Sequence, residues 1–204
     1  MKVSKGLEDK QGIILDLGCG RDKLHPTFTG MDKENLPGVD IVHDIEVMPW
    51  PLEDESCLTV VSHHLIEHIK PWLTIDLFDE LWRVMKLEGQ VVLSTPYCRS
   101  EGYYADPTHC NPFSEKTFQY FDPRYYGFTI YHPKPWLIEK GFPVYQITGN
   151  IECIMRKITI EEGEKIFEEN AERRSFIGSP EAPKGRRDQR KTRPDNKQEA
   201  AAKK

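Results

Sequence analysis

The chain contains few cysteines and no long apolar segment. Its five cysteines are odd in number, widely spaced and without a Cys-x-x-Cys pair. We therefore expect reduced thiols rather than a disulfide framework or a zinc finger. No stretch approaches the roughly 20 apolar residues that a membrane span requires, and residues 1–10 lack the apolar core of a signal peptide. These features predict a cytoplasmic protein without a membrane segment.

An excess of positive charge is also absent from most of the chain. The sequence has 28 Lys and Arg against 33 Asp and Glu, a net charge of -5. Residues 178–204 contain nine basic and four acidic side chains, a net of +5, which leaves -10 for residues 1–177. Nonspecific affinity for nucleic acid comes mostly from neutralised phosphates. We therefore expect no nucleic-acid partner except through the basic tail, and the sequence does not indicate an oligomeric state.

Short apolar runs between turn-forming residues predict the strands of a parallel sheet. A helical spacing of apolar residues predicts a helix over Trp72–Met85, and a short helix is predicted over Pro133–Lys140. Two later runs, Val144–Ile147 and Glu152–Ile160, predict a closing antiparallel pair. The parallel strands are predicted at Gly12–Leu17, Phe28–Met31, Val39–His43, Leu58–His63 and Gln90–Ser94.

Strands that alternate with helical or irregular crossovers are typical of an α/β fold. We therefore predict that residues 1–160 form a Rossmann-like domain, with a doubly wound, mostly parallel sheet and a closing antiparallel hairpin. A segment rich in Glu and Lys predicts a charged helix over residues 161–177. Residues 178–204 have almost no large apolar side chain, so we expect a disordered basic tail.

A glycine-containing turn directly after the first strand is the sharpest local signal. It spans Asp16–Gly20, with the sequence DLGCG, and glycine lets the backbone approach a ligand closely because it has no Cβ. Asp32 ends the second strand, where a carboxylate can accept both ribose hydroxyls of a nucleoside. Asp44 ends the third strand, where a carboxylate can accept an adenine amino group. The pattern predicts a nucleoside-containing cofactor.

With these residues the sequence resembles the class I S-adenosylmethionine-dependent methyltransferases, in particular the type 11-like domain. Four segments follow one another in the order and spacing of that family, over roughly residues 12–96. They are ILDLGCG, PWPLEDES, SHHLIEHI and DELWRVMKLEGQVVLSTP. The resemblance implies a methyltransferase that binds S-adenosylmethionine. We predict that it transfers the methyl group to a small-molecule or glycan-type acceptor, without a metal. The resemblance implies that the cofactor is bound by Asp16, Gly18, Cys19, Gly20, Asp32, Asp44, Ile45 and His64.

Several positions depart from the family pattern. Asp22 replaces the third glycine, and only seven residues, Arg21–Thr27, separate the glycine turn from the second strand. This predicts a shortened first helix. Cys57-Leu58-Thr59 replaces the expected acid before the fourth strand, and Leu87-Glu88-Gly89 replaces the usual Pro-Gly-Gly corner.

A second cluster of polar residues follows the fifth strand, where the resembled fold binds its acceptor. Asp106 and His109, in the sequence DPTH, can form a hydrogen-bonded pair that orients or deprotonates an acceptor hydroxyl. With His68 they are the candidate catalytic residues. Alternatively this loop is structural and caps a helix that begins at Ser114, through Ser114-Glu115 rather than a Ser-x-x-Thr box. A metal bound with His63, His64 or His68 is the weaker option.

Other functions remain as alternatives. A non-catalytic scaffold could retain the fold, although it would not need the glycine turn and both strand-end acids together. A nicotinamide oxidoreductase is disfavoured because Lys23 stands at the third glycine of Gly-x-Gly-x-x-Gly. The absence of Asp-Pro-Pro-Tyr or Asn-Pro-Pro-Tyr argues against amino-methylation of DNA bases. A missing catalytic triad does not argue against methyl transfer, because the sulfonium methyl group is already activated and requires mainly alignment.

Overall fold

A mixed sheet of eight strands is the centre of the fold. The computed structural model describes residues 12–125 and 131–177, the side chains of residues 171–177 excepted. The predicted basic tail, residues 178–204, lies outside the described residues. The strands are β1 (Ile13–Leu17), β2 (Thr29–Asp32), β3 (Ile41–Val42), β4 (Cys57–His63), β5 (Met85–Pro96), β6 (Trp136–Ile138), β7 (Val144–Tyr145) and β8 (Asn150–Lys157).

The strand order confirms the predicted doubly wound sheet. Strands run in the spatial order β3-β2-β1-β4-β5-β8-β6, and β7 pairs with β8. The first five strands are mutually parallel, whereas β8 is antiparallel to β5, β6 and β7. The chain order reverses between β1 and β4. In open α/β sheets, ligands bind beyond the carboxyl ends of the strands at such a switch point.

Within the described residues, three α-helices and two short 3₁₀ turns lie between strands, and a fourth α-helix follows β8. The helix α1 (Thr74–Val84) packs against the sheet because its apolar residues recur every three to four positions, and Leu77, Phe78, Leu81 and Val84 are fully buried. Burying each such side chain contributes about 1.5–3 kcal/mol. The helices are α1 (Thr74–Val84), α2 (Glu101–Ala105), α3 (Glu115–Gln119) and α4 (Ile160–Ile177), and the 3₁₀ turns are Ile66–His68 and Pro71–Leu73.

The prediction of a helix over Pro133–Lys140 is wrong. This segment contains strand β6, in which Trp136 and Ile138 are buried and Leu137 between them is partly exposed. Pairing with β8 satisfies the backbone, and the N–H of Ile138 donates to the Asp122 carboxylate at 2.9 Å. The sequence misled because a run of so few apolar residues does not distinguish a strand from a helix.

Two further local predictions differ from the structure. The connection from β1 to β2 consists of turns and bends, where a shortened first helix was expected. Helix α3 begins with a capping box, since the Ser114 N–H donates to Thr117 Oγ1 at 3.1 Å and the Ser114 side chain pairs with the N–H of Thr117. The expectation that a Ser-x-x-Thr box would not form there is therefore wrong, because the threonine hydroxyl reaches the backbone as glutamate does.

The predictions for cysteine and for membrane segments can be compared with the described residues. All five cysteines lie among them, and all five are free thiols. Among the helices of residues 12–125 and 131–177, none combines the length and the apolar composition of a membrane span.

Candidate functional site

A cavity of about 640 Å³ opens at the carboxyl ends of β1, β2 and β3. This volume is within the range of small-molecule sites. The turn after β1 contributes Gly18, and the ends of β2 and β3 contribute Asp32 and Asp44. The segment around the 3₁₀ turn Ile66–His68 and the loop after α2 form the other side. The cavity is therefore located where the sheet topology places a ligand.

The glycine turn requires glycine on conformational and steric grounds. Gly18 and Gly20 have φ angles of 74° and 57°, in the left-handed region that disfavours other residues. A Cβ on Gly18 would lie 2.8 Å from the Leu65 side chain, which also lines the cavity. The N–H of Gly18 donates to the carbonyl of Met31 at 2.8 Å. This bond holds the turn against the end of β2.

Asp32 is held in place by two backbone hydrogen bonds. Its Oδ2 accepts the N–H of Gly20 at 2.9 Å, and its Oδ1 accepts the N–H of Glu34 at 3.0 Å. Each carboxylate oxygen has two lone pairs, so both oxygens keep capacity to accept a further hydrogen bond. The carboxylate that lines the cavity is thus fixed in orientation and can accept the two hydroxyls of a ribose.

Asp16 and Cys19 lie behind the turn rather than in the cavity. The Asp16 carboxylate is almost completely buried, and its Oδ2 accepts the N–H of Leu24 at 2.6 Å. Burial raises the pKa of Asp16, while the Leu24 hydrogen bond opposes this rise. The thiol of Cys19 is also buried, against Gly30. Both residues therefore shape the connection from β1 to β2.

The end of β3 provides a second polar wall of the cavity. Asp44 Oδ1 accepts the N–H of Glu46 at 3.0 Å, and the side chain of Ile45 is buried. Glu46 forms an ion pair with Lys70, and it also accepts the N–H of Lys70 at 2.9 Å. Burial raises the pKa of Glu46, but the Lys70 hydrogen bonds outweigh burial and lower it overall. The ion pair joins the two sides of the cavity.

A chain of three polar side chains lies on the opposite side. The hydroxyl of Thr108 donates to Asp106 Oδ1 at 2.7 Å, and His68 Nδ1 lies 2.9 Å from the same hydroxyl oxygen. Hydrogen bonds from the Thr108 hydroxyl and N–H lower the pKa of Asp106. Since the Thr108 hydroxyl donates its proton to Asp106, it can only accept from His68, and His68 Nδ1 is therefore the donor in that hydrogen bond. His68 and Thr108 line the cavity.

Asp106 and His109 do not form the hydrogen-bonded pair that the sequence suggested. His109 Nε2 lies 3.9 Å from Asp106 Oδ2, which is too long for a hydrogen bond. His109 Nδ1 instead lies 2.8 Å from the carbonyl oxygen of Tyr103. The two residues are nevertheless close to each other, in the same loop as Thr108.

Backbone hydrogen bonds hold this loop against the 3₁₀ turn. The N–H groups of Cys110 and Asn111 both donate to the carbonyl of Glu67 at 2.9 Å. The buried amide of Asn111 donates to the Ile66 carbonyl at 3.3 Å and to the Thr74 hydroxyl at 2.9 Å. The loop thus has a fixed position relative to His68.

Comparison with known proteins shows that this chain is similar in fold to several solved structures. The sequence matches no model of a protein family, and no curated protein is similar to it. A methyltransferase of Archaeoglobus fulgidus that depends on S-adenosylmethionine is 18% identical, with a TM-score of 0.52 over 72% of this chain and 86% of that chain. The YcgJ protein of Bacillus subtilis is 14% identical, with a TM-score of 0.50 over 72% of this chain and 92% of that chain.

A larger enzyme is similar over more of this chain. Phosphoethanolamine N-methyltransferase 1 of Haemonchus contortus, solved with phosphoethanolamine and S-adenosylhomocysteine, is 10% identical. Its TM-score is 0.51 over 82% of this chain and 46% of that chain. The chain has the fold of the class I S-adenosylmethionine-dependent methyltransferases.

Within this methyltransferase fold, the predicted cofactor residues separate into two groups. Among the described residues, Gly18, Asp32, Asp44 and Ile45 line the cavity, whereas Asp16, Cys19, Gly20 and His64 do not. The His64 ring is half exposed at the end of β4, where its Nε2 lies 3.2 Å from the amide of Asn150. Gly20 contributes to the cavity indirectly, because its N–H donates a hydrogen bond to the Asp32 carboxylate.

Glu67, which is not among the predicted site residues, is fully buried in the 3₁₀ turn Ile66–His68. Its Oε2 accepts the Thr95 hydroxyl at 2.9 Å, whereas its Oε1 has no hydrogen-bond partner. The available signal was an acid in an apolar turn, between Leu65-Ile66 and His68-Ile69. A charged residue in such a position is rarely buried without a partner.

Proposed function

We propose that the protein is an S-adenosylmethionine-dependent methyltransferase that acts on a hydroxyl group of a small-molecule or glycan-type acceptor. The observation that carries this proposal is the position of Asp32, held by the glycine turn at the edge of a cavity in a methyltransferase fold. In the proposed complex, Asp32 accepts the ribose hydroxyls. Asp44 and Ile45 surround the adenine, and Gly18 faces the amino acid portion of the cofactor.

This orientation directs the sulfonium methyl group towards the far side of the cavity. His68 and Thr108 line that side, so we place the acceptor hydroxyl beside them. The methyl group is already activated by the sulfonium, and the main requirement is that donor and acceptor are aligned. Because His68 Nδ1 donates to Thr108, its Nε2 carries the lone pair that can accept the hydroxyl proton. Asp106 and His109 act as positioning residues for this group.

Calorimetry on the full chain tests cofactor binding. We expect S-adenosylmethionine and S-adenosylhomocysteine to bind with micromolar-range affinity, and NAD not to bind. Binding of NAD without binding of S-adenosylmethionine would favour an oxidoreductase and contradict the proposal. A folded protein that binds none of the three compounds would contradict it as well.

An acceptor screen with a radiolabelled methyl donor tests catalysis. We expect transfer of label to at least one hydroxyl-containing compound in a panel of small molecules and glycans. Tight binding of the cofactor without transfer to any member would favour the scaffold function. Transfer only to amines would support the methyltransferase activity but overturn the proposed hydroxyl acceptor.

A further inference from the structure

We propose that Glu67, His68 and His109 bind a divalent transition-metal ion. Each residue offers one ligand atom, and these atoms all lie within 4.8 Å of one another. Two imidazole nitrogens and one carboxylate oxygen form the ligand set of many catalytic Zn²⁺ sites, and this set also suits other first-row divalent ions. The metal-binding site does not depend on the function proposed above.

The Oε1 atom of Glu67 has no hydrogen-bond partner. The side chain is fully buried, and only its Oε2 is hydrogen-bonded, to Thr95. His64 Nδ1 lies 3.3 Å and His109 Nε2 lies 3.9 Å from Oε1, and neither nitrogen forms a hydrogen bond with it. A buried carboxylate oxygen without a partner is costly. A cation between Glu67 and His109 would satisfy this oxygen.

The orientation of the His109 ring also favours a role as a metal ligand. A carbonyl oxygen only accepts hydrogen bonds, so the 2.8 Å contact with Tyr103 requires that His109 Nδ1 carries a proton. The neutral ring then has its lone pair on Nε2, the nitrogen that faces Glu67 and Asp106. Metal-binding histidines usually donate their other N–H to a carbonyl or carboxylate in this way.

The ring of His68 is oriented by the same principle. Its Nδ1 donates to the Thr108 hydroxyl, which donates its own proton to Asp106. The lone pair of His68 is therefore also on Nε2. The rings of His68 and His109 lie edge to face, with centroids 4.7 Å apart. Two histidines held close together with their Nδ1 atoms engaged are the arrangement expected of metal ligands.

Binding would require the three ligand atoms, which lie within 4.8 Å of one another, to move closer together. Ligand atoms around a tetrahedral Zn²⁺ with bonds of about 2.0–2.1 Å lie about 3.4 Å apart. The 3.9 Å between His109 Nε2 and Glu67 Oε1 must therefore shorten by about 0.5 Å. Asp106, whose Oδ2 is 3.9 Å from the same nitrogen, adds negative charge beside the site.

The alternative is that His109 is protonated and pairs with Glu67 and Asp106 without an ion. An imidazolium would then be expected to donate its Nε2 proton to one of the two carboxylates. Both of these distances are 3.9 Å, beyond hydrogen-bonding range. The geometry favours an ion over this alternative, and the alternative predicts that no metal binds.

An ion at this position would have a coordination site open towards the cavity, because His68 lines it. An acceptor hydroxyl bound there would have a lowered pKa. This role rests on the proposed methyltransferase function. Ion binding and direct proton acceptance use the same nitrogen of His68. In the metal-loaded protein, activation of the acceptor hydroxyl would therefore depend on the ion instead of on His68.

Metal titration of the full chain, after removal of bound ions with a chelator, tests the site. We expect one Zn²⁺ per chain by calorimetry, and one Co²⁺ per chain with visible absorption bands of a low-symmetry site. Glu67→Gln and His109→Gln should each weaken binding by at least about 10-fold. Gln at position 67 can still accept the Thr95 hydrogen bond, and thermal melting shows whether each variant is folded.

Two control variants should retain metal affinity. His25→Gln removes an exposed histidine from the connection between β1 and β2. Cys110→Ser removes the exposed thiol nearest to His68, a competing ligand for Zn²⁺. A folded protein that binds neither ion, or binding that is unchanged in both Glu67→Gln and His109→Gln, would overturn the proposal.

S-adenosylmethionine titration of the metal-free protein separates this inference from the proposed function. If the protein binds S-adenosylmethionine but no metal ion, only the metal site is refuted. If it binds a metal ion but no S-adenosylmethionine, only the methyltransferase function is refuted.

Discussion

The backbone N–H of Gly20 donates a hydrogen bond of 2.9 Å to the carboxylate of Asp32, twelve residues later in the chain. This contact joins the turn after β1 to the end of β2. It explains why a residue that does not line the cavity matters for the site, since Gly20 orients the carboxylate that does. The free energy of cofactor binding should therefore depend on both residues.

Replacement of Asp32 with Ala should weaken S-adenosylmethionine binding by about 10–100-fold, because charge-assisted hydrogen bonds contribute about 1.5–3 kcal/mol. Asp32→Asn keeps an acceptor and should lose less affinity. Calorimetry measures both. Asp22→Ala, an exposed acid on the same connection, is the matched control and should bind normally. An Asp32→Ala protein with unchanged affinity would remove this residue from the cofactor site.

Gly18→Ala and Gly20→Ala should differ in their effects. Both residues have positive φ, and the left-handed conformation costs a non-glycine residue about 1–2 kcal/mol. Only the Cβ at Gly18 meets another group, the Leu65 side chain at 2.8 Å, and none lies within 4 Å at Gly20. Gly18→Ala should therefore cause the larger loss of cofactor affinity and of thermal stability. Equal losses in calorimetry and thermal melting would show that backbone strain alone decides the effect.

Replacement of His68 with Gln should reduce turnover with an acceptor from the screen by about 10²–10⁴-fold. S-adenosylmethionine affinity should remain within a few-fold, because His68 lies on the acceptor side of the cavity. Single-turnover kinetics and calorimetry measure the two quantities, with His25→Gln as the control. If turnover falls only in proportion to a lower melting temperature, the residue has a structural role instead.

Glu80→Gln should lower the free energy of unfolding at pH 7 by about 1.5–3 kcal/mol, the contribution of hydrogen bonds to a charged group. The buried Glu80 carboxylate accepts the N–H of Trp50 at 2.6 Å and two hydrogen bonds from Arg83, at 2.9 and 2.6 Å. Burial opposes its ionisation, but these hydrogen bonds outweigh burial and lower the pKa of Glu80 from 4.5. Urea unfolding measures the difference in free energy, and the more exposed Asp54→Asn should cause a much smaller loss.

The same variant has a predicted pH dependence. Because the folded-state pKa of Glu80 is lowered, its stabilising contribution is complete above about pH 4.5 and is lost as the pH falls through the folded-state value. The free energies of unfolding of Glu80→Gln and the unaltered protein should therefore converge at acidic pH. A constant difference from pH 7 to pH 3 would show that the charge is not responsible.

The sequence by itself determined the parallel strands and one side of the cavity, the side lined by Gly18, Asp32 and Asp44. An apolar run followed by Asp16–Gly20, and acids at the ends of the next two runs, sufficed to predict that Gly18, Asp32 and Asp44 meet at one edge. These residues follow strands directly. The carboxyl ends of parallel strands lie together, so local pattern and topology give their positions without knowledge of side-chain packing.

Only the tertiary structure decided β6 and the opposite side of the cavity, which His68 and Thr108 line. The three residues of β6 become a strand because β8 provides the hydrogen-bond partners. Glu67 and His109 are far apart in the chain, and they meet because Asn111 fixes the later loop on the 3₁₀ turn. Which ring nitrogen carries the proton depends on the Tyr103 and Thr108 oxygens. Local sequence patterns report burial along one element, whereas such distances depend on packing between elements remote in sequence.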